Sequence, residues 1–120
     1  MHGILLLMPR RILIVDDDFA VAQLLAAAFR RAGYEVATAQ SGEQAVPRAG
    51  SSRFDAVISD VSMSGLDGHQ TISRIRMGTP DIAAVLMSGA HVECTAACCV
   101  PVRHCTWLQK PFPPMEPGVL

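Results

Sequence analysis

The sequence predicts an α/β domain built on a parallel sheet with helices on both faces. Short apolar runs alternate with stretches of helical periodicity, giving the order βαβαβαβαβ. The first run, Ile12 to Val15, is unbroken by polar residues, as in a strand buried on both faces. Acidic, hydroxyl or ammonium residues follow four of the five runs, and ligand sites of open parallel sheets lie beyond the C-terminal strand ends.

The elements follow in order. Ile12-Leu13-Ile14-Val15 is a buried strand running into Asp16-Asp17-Asp18. Phe19 to Ala32 carries Val21, Leu24, Leu25, Ala28 and Phe29 at helical spacing, with Asp18 as N-cap and Gly33 as the closing glycine. Tyr34 to Ala39 alternates as a second strand. Ser41-Gly42-Glu43-Gln44 has capping-box form, and Pro47 predicts a short or kinked second helix. Phe54 to Ser59 is the third strand, followed by the turn-rich stretch Ser62 to Gly68, in which Asp67 is a turn or cap residue. A third helix spans His69 to Met77 and a fourth strand Ile82 to Met87. His91 to Val100 is a weaker helix stopped by Pro101, and Thr106-Trp107-Leu108 is a short fifth strand.

Composition narrows the function. At 120 residues, half of them apolar, the chain holds one domain with its own core. Ten Lys and Arg against eleven Asp and Glu leave a net charge of −1, which gives no basic field for nonspecific nucleic-acid binding. No apolar run approaches the ~18–20 residues that span a bilayer, and Ile4 to Met8 is too short for a secretory signal. The expectation is a soluble cytoplasmic protein that neither enters a membrane nor binds DNA directly. Cys94, Cys98, Cys99 and Cys105 fall late and match no C-x-x-C pair, so they read as reduced packing thiols. His69, His91 and His104 match no catalytic spacing and read as packing or surface residues.

The strand ends bring together Asp16 and Asp17, Asp60, Ser88 and Lys110. Clustered carboxylates repel and call for a cation, and Mg²⁺ fits as a hard ion that takes oxygen ligands and keeps several waters. A carboxylate beside Mg²⁺ can attack phosphorus, while Lys110 and the Ser88 hydroxyl neutralise the transferring phosphoryl oxygens.

In these residues the chain resembles a receiver domain of two-component response regulators. The matching stretches are Ile12 to Asp18, Asp55-Ala56-Val57-Ile58-Ser59-Asp60, Gly65-Leu66-Asp67-Gly68, Leu86-Met87-Ser88-Gly89 and Gln109-Lys110-Pro111-Phe112. The resemblance implies a flavodoxin-like, doubly wound five-stranded sheet of order 2-1-3-4-5. It implies a leader over 1–10, the receiver over 11–112 and a proline-rich tail over 113–120. It further implies that Asp60 accepts a phosphoryl group from a histidine kinase or phosphotransfer protein. Mg²⁺ would be held by Asp16, Asp17, Asp60 and the backbone carbonyl of Ser62. Ser88 would be the switch hydroxyl, Lys110 the phosphoryl contact and Trp107 the aromatic switch. Such a domain is a phosphoacceptor, catalysing only its own phosphorylation and dephosphorylation.

The chain departs from that family in places. Met63-Ser64 replaces the usual Met-Pro, so the turn after Asp60 loses a proline constraint. Trp107 is bulkier than the usual Tyr or Phe. Pro113, Pro114 and Pro117 exclude an ordinary last helix, which is expected to be missing or truncated. The apolar surface this leaves predicts a homodimer. The alternatives are a non-switching receiver-like interaction module or a fragment of a longer regulator. A haloacid-dehalogenase phosphatase would need Asp-x-Asp-x-Thr or Val where the chain has Asp16-Asp17-Asp18-Phe19-Ala20. A dinucleotide site would need a G-x-G-x-x-G turn that is absent after the first strand.

Overall fold

The computed structural model describes residues 10–88 and 105–109. The expected leader, the helix over His91 to Val100, Lys110, the truncated last helix and the tail lie outside the described residues. So do His104 and all the cysteines except Cys105.

The strands are β1 Arg11–Val15, β2 Glu35–Ala39, β3 Ala56–Asp60, β4 Ala83–Ser88 and β5 Cys105–Gln109. All pair in parallel in the order β2-β1-β3-β4-β5. The helices are α1 Phe19–Arg31, α2 Gly42–Ser51 and α3 Gly68–Gly78. The order agrees with the doubly wound sheet implied by the resemblance.

Period-two alternation explains why the central residues of β1 and β3 are apolar on both faces. Leu13 and Val15 of β1, with Val57 and Leu86, pack against Ala45 of α2 and against Ile72 and Ile75 of α3. Ile12 and Ile14, with Ile58 and Met87, turn to the other face and meet Ala22, Leu25 and Ala26 of α1. Helices cover both faces, so the central positions of both strands are apolar, and polar side chains enter β3 only at Ser59 and Asp60 near its end.

Local chemistry sets the ends of the helices. Asp18 caps α1 by accepting from the N–H groups of Ala20 and Val21 at 3.0 and 3.3 Å. Gly33, at φ 99°, follows the C-cap Ala32 in the left-handed region that glycine enters without strain. The Ser41 box forms only in part. Ser41 Oγ accepts from Gln44 N at 3.1 Å, but Gln44 Oε1 reaches past Ser41 to the N–H of Gln40 at 3.0 Å. The complete capping box is at Asp67 and Gln70, which opens α3. Pro47 does not end α2, which runs ten residues with the proline inside. Proline removes one intrahelical hydrogen bond, and the burial of Ala45 with the packing of Val46 and Ala49 holds the turn across it.

Two strand boundaries differ from expectation. β3 begins at Ala56, two residues after Phe54, and extends through Asp60, which pairs with Met87. β4 likewise extends through Ser88, opposite Gln109 of β5. The polar residues expected just beyond the strands are therefore their last paired positions. The parallel ladder needs only backbone groups, so it continues past the last apolar side chain.

β2 is an edge strand, and its free side is guarded. Glu35 N donates to Arg10 O, and Ala39 O accepts from Asp16 N, so odd-numbered residues of β2 face β1. The carbonyls of Val36 and Thr38 therefore turn outward. Arg30 of α1 donates to Val36 O at 3.1 Å, and Arg48 of α2 donates to Thr38 O. Unpaired edge carbonyls are templates for strand addition, and here two guanidinium groups occupy them. Replacing both Arg30 and Arg48 with Ala is expected to leave the circular dichroism of the monomer intact. It should also raise concentration-dependent self-association in sedimentation above the wild-type level.

Candidate functional site

The site is a consequence of register. Ile14 pairs with Ile58, and both side chains face α1. Two residues further on, each chain carries an aspartate: Asp16 just beyond β1, and Asp60 at the end of β3. Alternation returns both to the α1 side, and strands ~4.8 Å apart place them side by side. The carboxylates of Asp16, Asp17 and Asp60 each offer an oxygen within 4.8 Å of the other two.

The three acids differ in setting. Asp16 is fully buried, Asp60 is 8% exposed and Asp17 is exposed. Asp16 N continues the ladder by donating to Ala39 O at 3.1 Å, and Asp16 Oδ1 accepts from Asp18 N at 2.9 Å. This bond folds the chain over so that Asp18 can cap α1 while Asp17 stands at the mouth. The run of three aspartates thus divides its work: a buried turn-former, an accessible carboxylate and a helix cap.

The turn after Asp60 is held by backbone contacts. Val61 N donates to Met87 O and Gly68 N to Val61 O, both at 2.9 Å. Asp67 Oδ1 accepts from Gln70 N at 2.8 Å, and Thr71 Oγ1 donates to Asp67 O at 2.8 Å. Gly68 lies directly on the acid-bearing backbone. A Cβ at this position would sit 2.9 Å from Val61 Cα and 3.0 Å from the Asp60 carbonyl carbon. At an ordinary helix start, Gly→Ala gains stability. Here Gly68→Ala is expected to cost ~1–3 kcal/mol through overpacking against backbone. A lowered urea midpoint with unchanged slope would register that loss.

Of the residues expected at the site, Asp16, Asp17 and Asp60 come together. Ser62 lies exposed in the loop that follows Asp60. Ser88 ends β4, one position past the Asp60–Met87 pair, and Trp107 pairs with Leu86 in the middle of β5. Lys110 follows β5 outside the described residues. Asp67 is a cap, as expected, and His69 is buried in the first turn of α3. Sequence reasoning did not single out Gly68 as a close-approach residue, although its Asp-Gly setting marked a tight turn.

An acidic trio with a buried member matches the donor chemistry of a hard divalent cation. Oxygen ligands of like charge, partly open to water, are what Mg²⁺ accepts.

Comparison with known proteins agrees with this geometry. The family model for the response regulator receiver domain matches residues 12–116. The chain belongs to this family. The receiver is 36% identical over 101 residues to the transcriptional regulatory protein ZraR of Escherichia coli, covering 84% of this chain and 23% of that protein. It is 30% identical to the crystallised chemotaxis protein CheY4 of Vibrio cholerae, with a TM-score of 0.78 over 88% of this chain and 90% of the other. It is also similar to response regulator TrrA of Thermotoga maritima, solved in complex with Mg²⁺ and BeF. The identity there is 29% and the TM-score 0.74, covering 86% and 88% of the two chains. The receiver spans less than half the length of the curated relatives it matches. Receiver domains are signalling domains of two-component systems that work with histidine kinases or phosphotransfer proteins. No helix among the described residues is long and apolar enough to cross a membrane.

Proposed function

We propose that Asp60 is the phosphoacceptor of this receiver and takes its phosphoryl group from a histidine kinase or phosphotransfer protein. The observation that carries this reading is the in-register placement of Asp60 beside Asp16, with Asp17 completing an acidic trio within 4.8 Å. An Asp60 carboxylate oxygen attacks the phosphorus of a phosphohistidine. The P–N bond breaks and its electron pair returns to the imidazole nitrogen. The product is an acyl phosphate on Asp60, which water later hydrolyses.

Asp16, Asp17 and Asp60, with the Ser62 carbonyl, would hold Mg²⁺, which when bound offsets the charge gathering on the phosphoryl oxygens. The Mg²⁺–BeF complex of the related TrrA supports this choice of ion. Ser88, one position past Met87, the residue paired with Asp60 across β3 and β4, is assigned the switch hydroxyl, and Lys110 the ammonium contact to the phosphoryl group. Trp107 is assigned the aromatic switch. The unit acts on itself alone, as a phosphoprotein of the cytoplasm that recognises other proteins. Its net charge of −1 supports protein rather than nucleic-acid contacts for the receiver itself.

Incubation with radiolabelled acetyl phosphate separates this reading from a receiver-like module that binds without chemistry. Wild-type protein should incorporate acid-stable, base-labile phosphate with Mg²⁺ and none with EDTA. No incorporation under either condition would refute the phosphoacceptor assignment.

A further inference from the structure

We propose that Glu43, at the start of α2, is a positioning residue that clamps the loop after Asp60 in the geometry the Mg²⁺ site requires. This deepens the proposed function and rests on it. A hydrogen bond and the close approach of two glycines carry the inference. Leu66 N donates to both Glu43 carboxylate oxygens, at 3.4 Å each, across 23 positions of sequence. Gly65, the preceding residue, has φ 77°, and a Cβ there would collide with the Glu43 carboxylate, whose Cδ would lie 3.0 Å away. Gly42 is buried against the same loop, since a Cβ on it would lie 2.7 Å from Leu66 Cβ and 3.3 Å from Leu66 O. The first turn of α2 and the loop therefore approach through two glycines, and the carboxylate fills the gap between them.

What this loop carries gives the contact its consequence. It begins at Val61, tied to β4 through Met87 O, and ends at Asp67 and Gly68, tied back to Val61 and to Gln70. Between these anchors stands Ser62, whose carbonyl is the proposed fourth protein ligand. With Ser64 where a proline would stiffen the chain, the stretch between these anchors gains rigidity from contacts outside the loop. Glu43 reaches in from α2 and holds the Gly65–Leu66 peptide. A displaced loop shifts the Ser62 carbonyl relative to Asp60, and a small misplacement of a liganding group is costly at a preorganised site.

Two substitutions separate reach from charge. Glu43→Gln keeps an acceptor oxygen at the same reach and loses the charge. Glu43→Asp keeps the charge and shortens the reach by one methylene. Mg²⁺ affinity is measured by calorimetry, phosphorylation by acetyl phosphate uptake, and folding by urea midpoint. Glu43→Asp should weaken Mg²⁺ binding and slow uptake by roughly three- to tenfold, the scale of one lost charge-assisted hydrogen bond. Glu43→Gln should stay within about twofold of wild type on both, since one amide oxygen still accepts from Leu66 N. Wild-type Mg²⁺ affinity in Glu43→Asp, or equal losses in the two variants, would overturn the clamp. Wild-type protein that binds Mg²⁺ but takes up no phosphate would instead remove the phosphoacceptor reading. The affinity comparison would then still decide the role of Glu43.

Discussion

Asp60→Asn is expected to incorporate no measurable phosphate from acetyl phosphate, a fall of about a hundredfold or more, as for loss of a nucleophile. Asparagine matches the shape of aspartate but does not attack phosphorus at neutral pH. Its size suits the nearly closed position that Asp60 occupies, so the fold should persist. The amide also relieves repulsion, because it sets a neutral group with two N–H donors among the remaining acids Asp16 and Asp17. A normal circular dichroism spectrum with absent phosphate is therefore the expected pair of results. Uptake by Asp60→Asn at the wild-type level would move the acceptor to another residue.

Asp17→Asn should divide stability from metal binding. Asp17 is the exposed member of a trio whose oxygens lie within 4.8 Å of one another. Two like charges ~5 Å apart in water-like surroundings repel by about 1 kcal/mol. Without Mg²⁺ the variant should thus be more stable than wild type by up to ~1 kcal/mol. With Mg²⁺ at ten times its dissociation constant the wild type gains ~1.4 kcal/mol by linkage. The variant, short of one charged ligand, should gain little at the same concentration. Urea midpoints in EDTA and in MgCl₂ for both proteins supply the four numbers needed. An equal Mg²⁺-induced shift in the two would remove Asp17 from the ligand set.

Among the described residues, the sequence by itself was sufficient for the element types, their order and the acids at the rim. β1 and β3 are buried on both faces, so their apolar runs are unbroken and visible without coordinates. Asp16, Asp17 and Asp60 stand out because acids recur after separate apolar runs, and strand ends of a parallel sheet share one rim. Caps were partly legible, since Asp18 and Asp67 act on N–H groups two or three residues away. Gln44 was misplaced by one donor, because which N–H it meets depends on the path of the chain leaving β2. The ends of β3 and β4 were misjudged for a similar reason: pairing through Asp60 and Ser88 is a backbone event that side-chain hydropathy does not record.

Only the tertiary structure decided which side chains serve the site without belonging to it. The Glu43–Leu66 contact spans 23 residues, and neither periodicity nor a turn motif links the two positions. Gly68 reads as a turn glycine until its missing Cβ is seen to make room for the Asp60 carbonyl. Arg30 and Arg48 look like solvated helix charges until they are found on the outward carbonyls of the edge strand. Local pattern encodes what a residue does to its own element. Contacts between elements depend on how the helices sit on the sheet, which is settled when the two cores close around β1 and β3.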